Sequence, residues 1–319
     1  MTTSIPHITE REIRQHVTYR QAMEVLREAL RTDIDPSTDF PRQILEVGDG
    51  RQLLFMPSTS SRWTGTKLIS VNPHNTARNL DRIQGFYLLM DAETTTPRAL
   101  IDGAELTELR TAALSAAVAD KLLPHDARRV VLWGYGAQAR AHLLALKEIR
   151  PSFEHVVVTG RDQVKAEMFA ANAVEHGWQA RIGDAMAPEV AVPQADVIIT
   201  VTGAQDPLFD GSQVRPGTLV LAIGSHNADH REVDSTLMAN STIIVEDRAT
   251  ALREAGDIVM AVEEGVLDPA DLIELRDFFE NPSIVRRDRP IVYKSVGMSW
   301  QDLVVAGEVY ERVPQAGRR

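Results

Sequence analysis

The stretch Arg129-Val130-Val131-Leu132-Trp133-Gly134-Tyr135-Gly136-Ala137-Gln138-Ala139 joins an apolar run of strand length to a G-x-G-x-x-A turn and then to the start of a helix. Gly134 allows the tight turn, Gly136 lets backbone approach a pyrophosphate, and the small Ala139 lets helix and strand pack closely. The helix start, with Ala137 and Gln138, presents N–H groups that no earlier turn satisfies and the positive end of the peptide dipoles. Strand, glycine turn and helix in this order predict a dinucleotide held by its pyrophosphate.

Outward from this point, residues 130–133, 156–159, 197–201, 219–223 and 243–245 are apolar runs of strand length. Helix-like segments around 139–148 and 163–176 separate the first three. Strands alternating with helices predict βαβ units and a parallel sheet covered on both faces. Thr200 and Thr202 stand at the carboxyl end of one such strand, where ligands of parallel sheets sit. Upstream, residues 19–30 carry Ala22, Met23, Val25, Leu26, Ala29 and Leu30 at helical spacing, with Pro36 and Pro41 beyond. Residues 44–47, 52–56, 67–71, 86–90 and 98–102 are short runs of β-formers between turn clusters, which predict a mostly antiparallel sheet or small barrel. Residues 107–123, rich in Ala and Leu, predict another helix, closed by Pro124. Residues 291–313 end in helical spacing and are too few for a domain of their own, so they are expected to return to the N-terminal half.

Composition excludes several classes of function. At roughly 150 residues per domain, the 319 residues hold about two domains. Lys and Arg total 34 against 45 Asp and Glu, and the net charge of -11 opposes attraction to a polyanion. No apolar stretch approaches the ~18–20 residues that cross a bilayer. With no cysteine there is no disulfide, no thiolate nucleophile and no Cys-type zinc site. Residues 1–7 lack the features of a secretory signal, and Glu10 and Glu12 speak against a transit peptide, so a cytoplasmic location is expected. His226, Asp229 and His230 match no common metal-ligand spacing, and no metal is expected. Ser115 and Ser295 lack a nucleophile elbow.

The second strand of the parallel set ends Val158-Thr159-Gly160-Arg161-Asp162. Gly160 leaves room for a ribose 2′-phosphate and Arg161 offers it a bidentate fork, which favours NADP(H). Asp162 turned inward would instead suit NAD(H). In the first half, Arg42, Lys67 and Arg110 stand in apolar or turn contexts. A lysine within an apolar strand is costly unless it meets an anion or lines a cleft. The three together suggest a clamp for a carboxylate.

Pro41-Arg42, Met56-Pro57 followed by Lys67, Gln84-Gly85, Arg110-Thr111-Ala112-Ala113-Leu114-Ser115-Ala116, the glycine turn, Ala195-Asp196-Val197 with Thr200-Val201-Thr202, and Lys294-Ser295-Val296-Gly297 resemble the ornithine cyclodeaminase/mu-crystallin family, in the family's order. The resemblance implies an α/β protein in which a Rossmann-type parallel-sheet domain, residues 118–291, is inserted into a smaller α+β substrate-binding and dimerisation domain, residues 1–117 plus 292–319. It implies a homodimer acting on a 2-amino or 2-imino acid. Arg42, Lys67 and Arg110 would hold the substrate carboxylate, with Lys67 also facing the reacting centre. Gly224, Ser225, Ser295 and Gly297 join the expected cofactor contacts.

One position departs from the family's cyclodeaminases, which carry an Asp two residues after the Gly that follows the fourth strand. Here Gly224-Ser225-His226 places His226 there, and Asp229-His230-Arg231-Glu232-Val233-Asp234 looks like the ketimine reductase/mu-crystallin type. His226 would supply a proton to an imine, or bond the nicotinamide amide or ribose. The expected activity is therefore NAD(P)H-dependent reduction of a 2-imino acid, or the reverse dehydrogenation. The alternatives are an ammonia lyase of the cyclodeaminase type and an NADPH-dependent small-ligand binding protein.

Overall fold

The computed structural model describes residues 5–78, 80–183 and 188–314. Residues 1–4, on which part of the location expectation rests, lie outside them. The chain divides into two compact units, residues 1–114 with 298–319, and residues 115–297. The fold is α/β, as expected, with one mixed and one parallel sheet.

The sheet of the first unit contains β1 (His7–Ile8), β2 (Gln43–Gly48), β3 (Arg51–Thr59), β4 (Trp63–Val71), β5 (Ile83–Asp91) and β6 (Pro97–Asp102). Their order is β1-β6-β5-β4-β3-β2. Neighbours are antiparallel except for the short β1, which runs parallel to β6. The sheet is open, with β1 and β2 at its edges, so the small-barrel alternative is corrected. Register places Met56, Lys67, Tyr87 and Ile101 in one row across β3 to β6. All four are buried, which puts a lysine on the core face. The helix Tyr19–Thr32, begun by a reciprocal Thr18–Gln21 capping box, buries Ala22, Met23, Leu26 and Leu30. The C-terminal helix Ser299–Arg312 packs on that helix and on β3 and β4.

In the second unit the strands are β7 (Arg129–Trp133), β8 (His155–Thr159), β9 (Gln179–Ile182), β10 (Val197–Thr200), β11 (Leu219–Ala222), β12 (Thr242–Val245), β13 (Ile273–Glu274) and β14 (Ile291–Lys294). They form one parallel sheet in the order β13-β12-β14-β11-β10-β7-β8-β9. β10, β11, β12 and β14 are buried throughout, as parallel strands covered on both faces must be. The chain winds away from β7 in both directions, so the switch in strand order lies between β7 and β10, where open α/β sheets bind ligands at the carboxyl ends.

β14 corrects one boundary. Residues 292–297 were expected with the substrate domain, yet β14 pairs with both β11 and β12. An apolar four-residue strand between two parallel neighbours satisfies its backbone on both edges there, and the chain joins the first unit only at Met298.

The helix Ala137–Ile149, which follows the glycine turn, is fastened by His142. Its Nδ1 lies 2.8 Å from Gln138 O and its Nε2 2.9 Å from Ser115 Oγ. Burial pushes the imidazole down to about 4, so it is neutral near pH 7. Nδ1–H then donates to the carbonyl and Nε2 accepts the Ser115 hydroxyl. Ser115 is thereby a buried structural pin.

Candidate functional site

Lys67 is 1% exposed, and its Nζ lies 2.8 Å from Asp302 Oδ2 and 3.2 Å from Thr107 Oγ1. Asp302 is fully buried, and its Oδ1 stands 3.3 Å from Arg110 Nε. Arg110 also donates through Nη1 to Gln301 Oε1. The half-buried Arg42 adds positive charge at Lys67. Burial pushes the Lys67 ammonium down to about 8, against the opposing pull of Asp302, while the charges of Arg110 and Arg42 push it further down. One carboxylate thus faces two cations, and the charge of a third, Arg42, acts on the lysine. One of the three Lys67 N–H bonds and the Arg110 Nη2 have no acceptor among the described residues. That arrangement can receive an anion, and a carboxylate answers both the charge and the donor geometry.

Asp302 owes its position to the first turn of the C-terminal helix, where the peptide dipoles favour a negative charge. Met298 cannot cap that helix. The cap comes instead from Asp39, whose Oδ2 accepts Trp300 N at 2.9 Å while Oδ1 accepts Ser58 Oγ at 2.8 Å. Burial pushes the Asp39 carboxyl up to about 6. Neither acid, Asp39 nor Asp302, stands out from composition or spacing in the sequence. The available signal was an Asp beside Trp300 and Leu303 on the buried face of a helix.

In the second unit Gly134 adopts φ +118°, and a Cβ there would stand 2.9 Å from Val201 O. A Cβ on Gly136 would meet nothing within 4 Å. Gly136 is the N-cap residue of the helix Ala137–Ile149 and brings no side chain to its first N–H groups. An open cradle before uncapped N–H donors fits a pyrophosphate. Ala139 is fully buried, as close helix packing requires.

At the end of β8, Gly160 and Arg161 are exposed. The Tyr135 ring lies over Gly160, so that a Cβ would come within 2.4 Å of it. Asp162 is committed to its own helix: Oδ1 accepts Lys165 N at 3.1 Å, and Oδ2 pairs with Lys165 Nζ at 3.4 Å. The backbone hydrogen bond from Lys165 holds this carboxyl below the usual range.

Thr200, Thr202, Gly224 and Ser225 come together around a residue that sequence reasoning left out of the site, Glu232. It is fully buried, and its carboxylate accepts Thr200 Oγ1 at 2.9 Å, Thr202 N and Oγ1 each at 2.7 Å, Gly224 N at 2.7 Å and Ser225 N at 3.3 Å. Ser295 and Gly297 meet another buried acid, Glu246, which accepts Ser295 Oγ at 2.7 Å and Gly297 N at 3.0 Å. His226 is exposed, with Nδ1 3.2 Å from Gly224 O. That contact favours the Nδ1–H tautomer.

Residues 7–317 match the sequence model of the ornithine cyclodeaminase/mu-crystallin family. A Delta(1)-pyrroline-2-carboxylate reductase of Bacillus cereus is 33% identical over 270 residues, covering 83% of this chain and 82% of the relative. The ketimine reductase mu-crystallin of Mus musculus is 33% identical over 274 residues, covering 85% and 83%. Among solved structures, the Delta(1)-pyrroline-2-carboxylate reductase of Thermococcus litoralis, in complex with NADH and L-proline, superposes with a TM-score of 0.87 at 26% identity, covering 97% of each chain. The cation cluster of the first unit and the glycine turn and parallel sheet of the second belong to a chain that is a member of the ornithine cyclodeaminase/mu-crystallin family.

Proposed function

We propose that this chain reduces a cyclic or open 2-imino acid to the corresponding amino acid, with a reduced nicotinamide dinucleotide as the hydride source. The observation that carries the reading is the buried cluster of Lys67, Asp302 and Arg110, whose remaining N–H donors suit a carboxylate. Reductases of imino acids among the relatives support it. When bound, a reduced nicotinamide would supply the hydride for the C=N carbon and would itself be oxidised. Gly134, Gly136 and the N–H groups of residues 137–139 would hold its pyrophosphate.

This chain's own side chains bind, orient and polarise. Arg110 and Arg42 take the substrate carboxylate, which fixes C2 by its neighbour. Lys67 supplies a positive charge beside it and, near neutral pH, holds a proton that it can give up. A protonated imine carbon is already electrophilic, so binding energy spent on orientation serves the reaction directly. His226 is a further proton source or a partner of the nicotinamide half. The commitment of Asp162 to its helix cap supports NADP(H), because an NAD-reading acid needs its carboxylate free for the ribose.

The outer face of the first sheet supports a homodimer. Phe55, Leu68 and Phe86 stand in one cross-strand row and are 36%, 43% and 47% exposed. Contiguous apolar side chains exposed on one sheet face are a feature of protein–protein interfaces.

Three outcomes are expected. NADPH oxidation, followed at the reduced-nicotinamide absorbance, should depend on a cyclic ketimine carboxylate; Lys67→Ala should lower turnover by about a hundredfold or more while NADPH still binds. Turnover retained in that variant would remove the lysine from the chemistry, and ammonia release without net oxidation would favour the lyase. Arg161→Ala should lower kcat/KM for NADPH by about tenfold or more, as loss of a charged hydrogen bond does, with little change for NADH. An equal effect on both cofactors would contradict the 2′-phosphate role. In sedimentation, the protein should run at twice the monomer mass, and Leu68→Asp should shift it towards monomer; an unchanged mass would place the interface elsewhere.

A further inference from the structure

The parallel sheet carries a buried polar assembly that the proposed chemistry does not itself use. Glu232 is its centre. Its carboxylate joins two separate loops: one leaves β10 at Thr200 and Thr202, the other leaves β11 at Gly224 and Ser225. The approach is close enough that a Cβ on Gly224 would stand 2.3 Å from Thr202 O and 2.5 Å from Glu232 Oε1. The backbone of Glu232 is itself held, since its N–H donates to Asp257 Oδ1 at 2.7 Å and that of Val233 to the same atom at 3.0 Å. Lys294, at the end of β14, then ties Asp257 back to the second loop. Its Nζ lies 2.9 Å from Asp257 Oδ2 and donates to Ser225 O at 2.6 Å.

Carboxylates and an ammonium buried to this degree are costly compared with apolar residues of the same volume. A sheet needing only stability would be served as well by leucines. What the assembly provides is a fixed geometry for two loops at the carboxyl ends of β10 and β11. These ends lie on one side of the glycine turn, and Gly160-Arg161 at the end of β8 lies on the other. A dinucleotide laid across the switch in strand order puts its adenosine half over β8 and its nicotinamide half over β10 and β11.

We propose that Glu232 is the positioning residue for the nicotinamide half of the cofactor, acting through the Thr202 and Gly224–His226 loops and leaving the adenosine half to the glycine turn and Arg161. The role rests on the dinucleotide reading above. In Glu232→Gln the amide keeps the volume but turns an N–H donor towards groups that are themselves donors, so at least one buried hydrogen bond is replaced by an opposed pair.

The test compares whole and half ligands on the full chain. Fluorescence titration measures NADPH or NADH, whichever binds wild type more tightly; calorimetry measures the matching adenosine half, 2′,5′-ADP or 5′-AMP. Glu232→Gln should weaken the dinucleotide by about ten- to a hundredfold, the range expected for a buried donor left unpaired, with the adenosine half unchanged. Equal weakening of both ligands, or of neither, would overturn the proposal. If Glu232→Gln does not fold, Thr202→Val decides, because it removes the hydroxyl that donates to Glu232 and accepts from Ala204 N, and keeps the backbone contact of Thr202 N with Glu232. It should show a smaller loss confined to the dinucleotide, and no such selectivity would overturn the role. Wild-type protein that binds neither ligand would overturn the dinucleotide reading itself, and this role with it.

Discussion

A lysine on the core face of a β-sheet is the constraint around which the first unit is organised. Left alone, the Lys67 ammonium would face a desolvation penalty of several kcal/mol. Asp302 offsets it at 2.8 Å, and for Asp302 to be there the C-terminal helix must start at Ser299. That start depends in turn on Asp39, which caps Trp300 from the loop before β2. Arg110 stands beside the other carboxylate oxygen of Asp302 at 3.3 Å and donates to Gln301. The pair is a poor source of stability by itself, since matched apolar residues would do as well. Its value lies in holding a charge and a proton where water does not compete.

The second unit uses the same economy of buried charge for a different end. Glu232 and Glu246 each gather hydrogen-bond donors at the carboxyl ends of strands, and Asp257 pairs with Lys294. Loops at such ends are the natural place for ligand contacts, and loops are also the least constrained part of a fold. Anchoring them on buried carboxylates makes them part of the rigid sheet. This changes how Thr200, Thr202 and Ser295 are understood: their hydroxyls are spent on the protein, and the loops they shape are what a ligand would meet.

Much of the fold was legible because its signals are local. The glycine turn declares itself in eleven residues, and β10, β11 and β12 are apolar runs of the length a covered parallel strand requires. β9 was missed because Gln179-Ala180-Arg181-Ile182 alternates polar and apolar at an edge, and β13 because two residues carry no pattern. The open first sheet and the place of β14 depend on pairing across long separations, which periodicity does not report. Among site residues, Lys67 announced a need for an anion through its apolar setting. The identity of that anion was hidden, because Asp302 is 235 residues away in sequence. Glu232 was hidden for a related reason: nothing in Arg231-Glu232-Val233-Asp234 tells which of its charged residues the fold buries, and Thr200 and Thr202 lie some 30 residues away in sequence.

Burial and Asp302 together set the protonation of Lys67, and titrating that one group tests this most directly. Selective isotope labelling of lysine side chains, with Lys67 assigned by its absence in Lys67→Ala, allows its ammonium to be followed by NMR as pH rises. In the wild type its midpoint should fall to about 8 from the ordinary 10.5. In Asp302→Asn, which removes the charge that favours the ammonium, it should fall further. A Lys67 that titrates at the ordinary lysine value, or one indifferent to the loss of Asp302, would show that burial and this carboxylate do not set its protonation.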